Sequence, residues 1–206
     1  MASLFSIPNG VTTIFFDLGG VLLEIDPGRT QKALTELLGG GDQVVRFDIH
    51  AQEALFLDFE RGSLSPEDLR RGAMTHFGVA VADEAFDHAW NQVLLQPFPW
   101  AHRAVQQAGS RYRTALLSNT NAIHYQAFRA AMQPTFALME RLFLSYELGS
   151  RKPEPTIYQQ ALAQMGVQPS EVLFIEDNAE NIATARQLGL HTLHLTQPQV
   201  LETLFG

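Results

Sequence analysis

Five short stretches of the chain, residues 12–17, 113–117, 142–146, 172–176 and 191–195, are rich in aliphatic, aromatic and β-branched residues. Three of them, "TIFFD", "TALLS" and "VLFIED", run apolar almost without a break until they end in a polar group. That is how strands buried on both faces of a parallel sheet read. Between the later stretches the apolar positions recur at helical spacing. Helices are expected over 99–109, 121–132, ending near Pro134, over 152–166 with Gly166 as its stop, and over 178–189. Asn178 is a candidate N-cap for the last of these and Gly189 its stop. Strands alternating with helices predict a doubly wound, Rossmann-like α/β core on a parallel sheet.

The exception lies between the first and second stretches. Residues 28–97 hold no good strand and read as four helices, over 29–39, 44–62, 65–78 and 82–95. The third opens with a capping box, Ser65 at the N-cap, Pro66 next and Asp68 at the third position. Seventy residues exceed a single crossover, so this segment is expected to be an inserted helical bundle. The core is then residues 1–27 and 98–206, and the insertion is residues 28–97. It leaves the core just after the loop at Asp17, a placement that favours a lid over the strand tips rather than a bundle of structure alone. The stretch "FLDFERG", residues 56–62, could face a substrate, although its apolar positions suit bundle packing.

Composition narrows the chemistry. The chain has 206 residues, 46% of them hydrophobic, and a net charge of −8 with no basic run. Nucleic-acid binding therefore has no electrostatic support. The absence of cysteine excludes disulfides, thiolate metal sites and thiol catalysis. "MASLFSIPNG" lacks the charged flank and apolar run of a secretory signal, and no apolar run is long enough for a bilayer. A soluble cytoplasmic protein with no membrane partner is the expectation; oligomeric state is open.

In open α/β sheets ligands bind beyond the carboxyl ends of the strands. The first strand ends in Asp17, the second in Ser118 and Asn119, and the fourth in Glu176 and Asp177; Lys152 follows the third. Each has an ordinary reading as a turn, loop, solvated or dipole-complementing residue. At successive strand ends those readings must all hold at once. The chemical reading needs one assumption. Asp17 and Asp177 could share a hard cation such as Mg²⁺, which takes oxygen ligands. Ser118 and nearby main-chain N–H groups could bind phosphoryl oxygens, and Lys152 could offset developing charge. Asp17 could then attack phosphorus and form an aspartyl-phosphate. His191 and His194, three apart on a strand, point to opposite faces and cannot chelate one ion. His124, which follows the Ser118–Asn119 loop, is a candidate for the site rim; Asn181 could orient Asp177 or Lys152, and Arg151 could help to bind an anion.

With these residues in order, the chain resembles the haloacid dehalogenase superfamily of hydrolases, in its helical-cap type. The motifs are "FFDLGGVL", "LLSNT", the lysine of "SRKPEP" and "FIEDNAENI", spread over nearly the whole chain. Within the superfamily they look most like the alpha-D-glucose-1-phosphate phosphatase group. The resemblance implies that Asp17 is the nucleophile, that Ser118, Asn119 and Lys152 bind phosphate, and that Asp17, Asp177 and the Gly19 main-chain carbonyl ligate Mg²⁺. Glu176 is then a further ligand or a support for the others. A Mg²⁺-dependent phosphatase of a small phosphorylated metabolite, in the first place a sugar phosphate, is the expected activity.

Gly19 departs from the pattern. Most phosphatases of the superfamily carry a second Asp there, which protonates the leaving oxygen, help worth about 10²- to 10⁴-fold. Three readings follow: a phosphatase whose leaving group needs little protonation, such as an anomeric phosphate; a phospho-ligand-binding or regulatory protein without turnover; or a 2-haloacid dehalogenase. The last sits badly with carboxylates arranged for a cation. Phosphonate hydrolysis would want a Schiff-base lysine, and residues 33–111 contain none. A phosphoacceptor receiver domain would not need the helical insertion. If the vacancy at 19 limits the rate, Gly19→Asp should raise activity on poor leaving groups.

Overall fold

The computed structural model describes residues 6–38 and 54–206. Five parallel strands form the sheet, β1 (Thr13–Phe16), β4 (Arg113–Ser118), β5 (Arg141–Leu144), β6 (Val172–Glu176) and β7 (His191–His194). Their order is β5-β4-β1-β6-β7, with β1 at the centre. All five predicted strands are present. The third is shorter than expected, because Ser145 turns out of the sheet to start α7 (Ser145–Leu148). Its hydroxyl accepts from Thr120 N–H and donates to Thr120 C=O, both at 2.9 Å, which ties the strand end to the loop after β4.

Strand alternation builds two cores. Ile14, Phe16, Leu116, Leu173 and Ile175 face one side of the sheet, where α5 (Ala101–Gly109), α6 (Ala122–Phe136) and α10 (Leu201–Leu204) pack. Phe15, Ala115, Leu117 and Phe174 face the other, against α8 (Pro155–Met165) and α9 (Ala179–Gln187). All of these strand residues are buried, each large one contributing about 1.5–3 kcal/mol. Asn178 caps α9 as expected, accepting from the N–H groups of Glu180 and Asn181. Helix α6 runs past its expected end and includes Pro134. The proline lies in the last turn on an exposed face, where water can replace the bond it removes.

Between the first two sheet strands lie α1 (Pro27–Leu38), α2 (Ala54–Glu60), α3 (Pro66–Phe77) and α4 (Asp83–Trp90). They have a core of their own, centred on Trp90, whose ring lies 5.1 Å from Phe56, 6.2 Å from Phe59 and 5.9 Å from Phe86. Phe56 and Phe59 thus hold the bundle together. The Ser65–Asp68 capping box is formed. The part of the second expected helix before residue 54 lies outside the described residues.

One element was not expected. Residues 94–97 do not continue the last insert helix, which ends at Trp90. They form β3 (Leu94–Pro97), which pairs antiparallel with β2 (Leu23–Ile25). The two chain crossings between insert and core are thereby bonded side by side. Two three- to four-residue strands carry too little periodicity to stand out in sequence; the ladder exists because the topology brings the crossings together. Among the described residues no helix is long and apolar enough to cross a membrane.

Candidate active site

The register of the sheet assembles the site. Phe16 pairs with Ile175, so Asp17 and Glu176 leave adjacent strands side by side. Asp17 N–H still donates to Ile175 C=O at 2.9 Å, extending the ladder to the carboxylate. The loop then turns at once, with the N–H groups of Leu22 and Leu23 both donating to Leu18 C=O at 2.8 Å. Gly20 takes φ +73°, and a β-carbon there would lie 2.1 Å from Asp177 Oδ2. The second glycine of "DLGG" is therefore required both by backbone conformation and by the close approach of Asp177.

Lys152 occupies the centre. It is 1% exposed, and its Nζ donates to Asp17 Oδ1 and to Glu176 Oε2, each at 2.6 Å. Its ammonium lies over the Phe174 ring, with Nζ 5.3 Å from the ring centre. Lys152 precedes α8 rather than opening it, in a turn with a cis Lys152–Pro153 peptide bond. Asn119 holds that turn from across the sheet edge. Its side-chain amide donates to Lys152 C=O and its carbonyl accepts from Lys152 N–H, both at 2.8 Å. The Asn119 side chain thus positions the lysine. Ser118 is buried beside it, with its hydroxyl 3.3 Å from Asn119 C=O.

Glu176 is held from three sides, by Lys152, by Asn178 N–H at 3.0 Å and by the Asn181 side-chain amide at 3.0 Å. Asn181 therefore orients Glu176, not Asp177 or Lys152. His194, read as no metal ligand, lies 2.8 Å from Asp177 C=O through Nε2 and props the Asp177 main chain.

The electrostatics follow from burial and crowding. Burial pushes the Asp17 carboxyl well above the usual range, and the neighbouring Glu176 charge adds to this against the pull of Lys152. Burial also lifts Asp177, to about 7, helped by its contact with Glu176. Glu176 is opposed by burial too, but the charge of Lys152 and the hydrogen bonds it accepts hold it below the usual carboxylate range. Burial would lower Lys152, yet Asp17 and Glu176 together raise it. Carboxylates this close, sharing one ammonium, favour a further cation. One oxygen from each of Asp17, Glu176 and Asp177 lies within 4.8 Å of the others. An all-oxygen donor set of this size suits a hard divalent ion.

The insert closes over this edge. A cavity of about 340 Å³ runs from Asp17, Ser118 and Lys152 to Glu60 of α2, His124 of α6 and the β2–β3 ladder. Among the described residues two ion pairs cross between insert and core. Glu60 accepts from Arg151 Nε at 2.7 Å, and Arg61 donates to Glu154 at 2.7–2.8 Å. Arg151 is thus engaged with the insert rather than free for an anion. Beside them the chain passes so close to α7 that a β-carbon on Gly62 would lie 2.0 Å from Tyr146 C=O. Burial raises the Glu60 carboxyl in spite of Arg151. It pushes His124 down to about 3, so that this imidazole is neutral. Glu60 gave no sequence signal beyond its place in the "FLDFERG" stretch.

Comparison with known proteins agrees with this architecture. Residues 11–189 match the haloacid dehalogenase-like hydrolase family. A D-ribitol-5-phosphate phosphatase of Bacteroides thetaiotaomicron is 31% identical over 191 residues, 88% of this chain and 90% of that protein. A sesquiterpene phosphatase of Aspergillus oryzae is 26% identical over 183 residues, 88% of each. The crystal structure of a family enzyme from Bacteroides thetaiotaomicron, a mutant complexed with magnesium and inorganic phosphate, superposes with a TM-score of 0.82. It shares 31% identity with this chain and covers 89% of it and 93% of its own length. An L-2-haloacid dehalogenase of Xanthobacter autotrophicus shares the fold, with a TM-score of 0.59 at 21% identity over 88% of this chain and 76% of that one. The chain belongs to the haloacid dehalogenase-like hydrolases.

Proposed function

We propose that the protein is a Mg²⁺-dependent phosphatase of a small sugar or polyol phosphate, with Asp17 as nucleophile. The observation that carries this reading is the convergence of Asp17, Lys152, Glu176 and Asp177 at neighbouring strand tips, at the floor of a cavity of metabolite size. The magnesium and phosphate bound by the structural relative support the same chemistry, and the polyol-phosphate phosphatase supports the substrate class.

Asp17, Asp177 and the Gly19 carbonyl would hold the ion, with Glu176 beside them. When bound, it supplies positive charge against the substrate phosphate. The chain's own residues do the rest. Lys152 stays protonated and spreads its charge between the Asp17 oxygen and the incoming phosphoryl group. The Ser118 hydroxyl and the Asn119 main-chain N–H hydrogen-bond the phosphoryl oxygens, while Thr120 N–H stays on Ser145. Asn119 keeps Lys152 in place through its main chain. The Asp17 carboxylate attacks phosphorus as the ester P–O bond breaks, and the leaving oxygen takes its proton from water. Water then hydrolyses the acyl phosphate, returning the carboxylate and inorganic phosphate. The insert, acting as a cap, excludes bulk water while its ion pairs with the core are closed.

Phosphate release from sugar phosphates, polyol phosphates and p-nitrophenyl phosphate, with and without Mg²⁺, tests the proposal. Mg²⁺-dependent release is expected, and Asp17→Asn should lower it by roughly 10³-fold or more while the protein stays folded. Silence across the panel from folded, metal-loaded protein would favour the ligand-binding reading, and turnover surviving in Asp17→Asn would remove the nucleophile.

A further inference from the structure

Two polar side chains on the cavity wall take no part in the chemistry above. Glu60 comes from α2 in the insert and His124 from the first turn of α6 in the core. Both are fixed by one end. Arg151 Nε engages Glu60 Oε2 at 2.7 Å, and no described residue bonds Oε1. His124 Nδ1 lies 2.8 Å from Asn91 Oδ1, and its ring stacks on Trp90 at 5.4 Å and 20°. With Nδ1 donating to Asn91, the neutral ring carries its lone pair on Nε2, which no described residue bonds. Ile25, Val93, Leu94 and Phe128 supply apolar wall to the same cavity, and its other polar lining residues, from Asp17 to Asn181, belong to the strand tips and the loops and helix start that follow them.

We propose that Glu60 and His124 are specificity-determining residues that accept hydrogen bonds from hydroxyl groups on the leaving part of the substrate. This rests on the phosphatase reading and deepens it. Two preset acceptors facing the cavity, with apolar side chains of Ile25, Val93, Leu94 and Phe128 lining it as well, match a ligand rich in O–H donors. A purely hydrocarbon ester would leave both acceptors stripped of water and unpaired, which is the stronger source of discrimination. One acceptor comes from the insert and one from the core, so a polyhydroxylated substrate bridges the two bodies as Glu60–Arg151 and Arg61–Glu154 already do.

The test compares two esters of equal length, sorbitol 6-phosphate and n-hexyl phosphate, by kcat/KM with Mg²⁺ present. The protein should favour the hydroxylated ester at least roughly tenfold, the scale of one hydrogen bond to a charged acceptor. That ratio should fall roughly tenfold in Glu60→Gln and in His124→Phe, which keeps the ring on Trp90. The inference is overturned if both esters react alike, or if each variant slows the two by the same factor, as a merely structural role would. p-Nitrophenyl phosphate separates the two proposals. If neither it nor sorbitol 6-phosphate is hydrolysed, the phosphatase reading fails, and calorimetric titration of the same two esters still reads the preference and its loss in the variants.

Discussion

Gly19 and Ile25 share one volume. A β-carbon on Gly19 would lie 2.9 Å from Ile25 Cδ1 and 3.5 Å from Cγ2. Where most phosphatases of the superfamily extend an acid, this chain extends an isoleucine from β2, which also lines the cavity. The two positions are therefore coupled, and the effect of restoring an acid depends on residue 25. Gly19→Asp alone is expected to gain less on alkyl phosphates than the vacancy by itself would allow, because the terminal methyl of Ile25 must rotate aside to give the new side chain room. Gly19→Asp/Ile25→Ala should hydrolyse them faster than either single variant, approaching the roughly 10²-fold that general acid help supplies. Steady-state kinetics on an alkyl phosphate and on p-nitrophenyl phosphate decide it. Additive single effects would show that Ile25 is not the obstacle.

Lys152 is the only ammonium bonded to Asp17 and Glu176 among the described residues. Lys152→Ala removes it and leaves buried carboxylates without their counter-charge. Without metal, the loss of stability should be about 3–5 kcal/mol, the range for breaking a buried ion pair. Mg²⁺ should recover part of that loss, since it binds the folded state alone. Urea denaturation of both proteins with and without Mg²⁺ measures the difference. Equal losses in both conditions would separate the lysine from the cation site.

Asp177 titrates near 7 without metal, against an ordinary value of 3.8. Its folded form holds a proton that its unfolded form has lost, so its contribution to metal-free stability is full below about 3.8 and is lost as pH rises through about 7. Magnesium binding runs the other way, because the cation must displace that proton. Affinity should rise as pH climbs through about 7. Calorimetry in buffers of different ionisation enthalpy should detect at least about one proton released per ion near pH 6 and fewer near pH 8, Asp177 contributing most of the change between them. A pH-independent affinity across that range would place the bound ion elsewhere.

The five-stranded sheet and its helices were legible because each buried strand reads as an unbroken apolar run and each helix carries its own periodicity and caps. The site carboxylates were legible for a related reason. A charge that ends an apolar strand sits at the sheet's carboxyl edge, so Asp17, Glu176 and Asp177 could be placed together from sequence order alone. Local chemistry also determined the Ser65 capping box and the N-cap at Asn178.

Tertiary structure decided what depends on partners distant in sequence. Asn119 clamps Lys152 from 33 residues away, and Glu60 meets Arg151 from 91. The β2–β3 ladder joins two segments that are unremarkable until the insert folds back on itself. Gly19 shows the division most clearly. The sequence states that no acid is present there, but only packing reveals that Ile25 fills the space. Hydrophobic period and caps are properties of neighbours along the chain, whereas clamps, ion pairs and shared volumes belong to surfaces that do not exist until the core has closed.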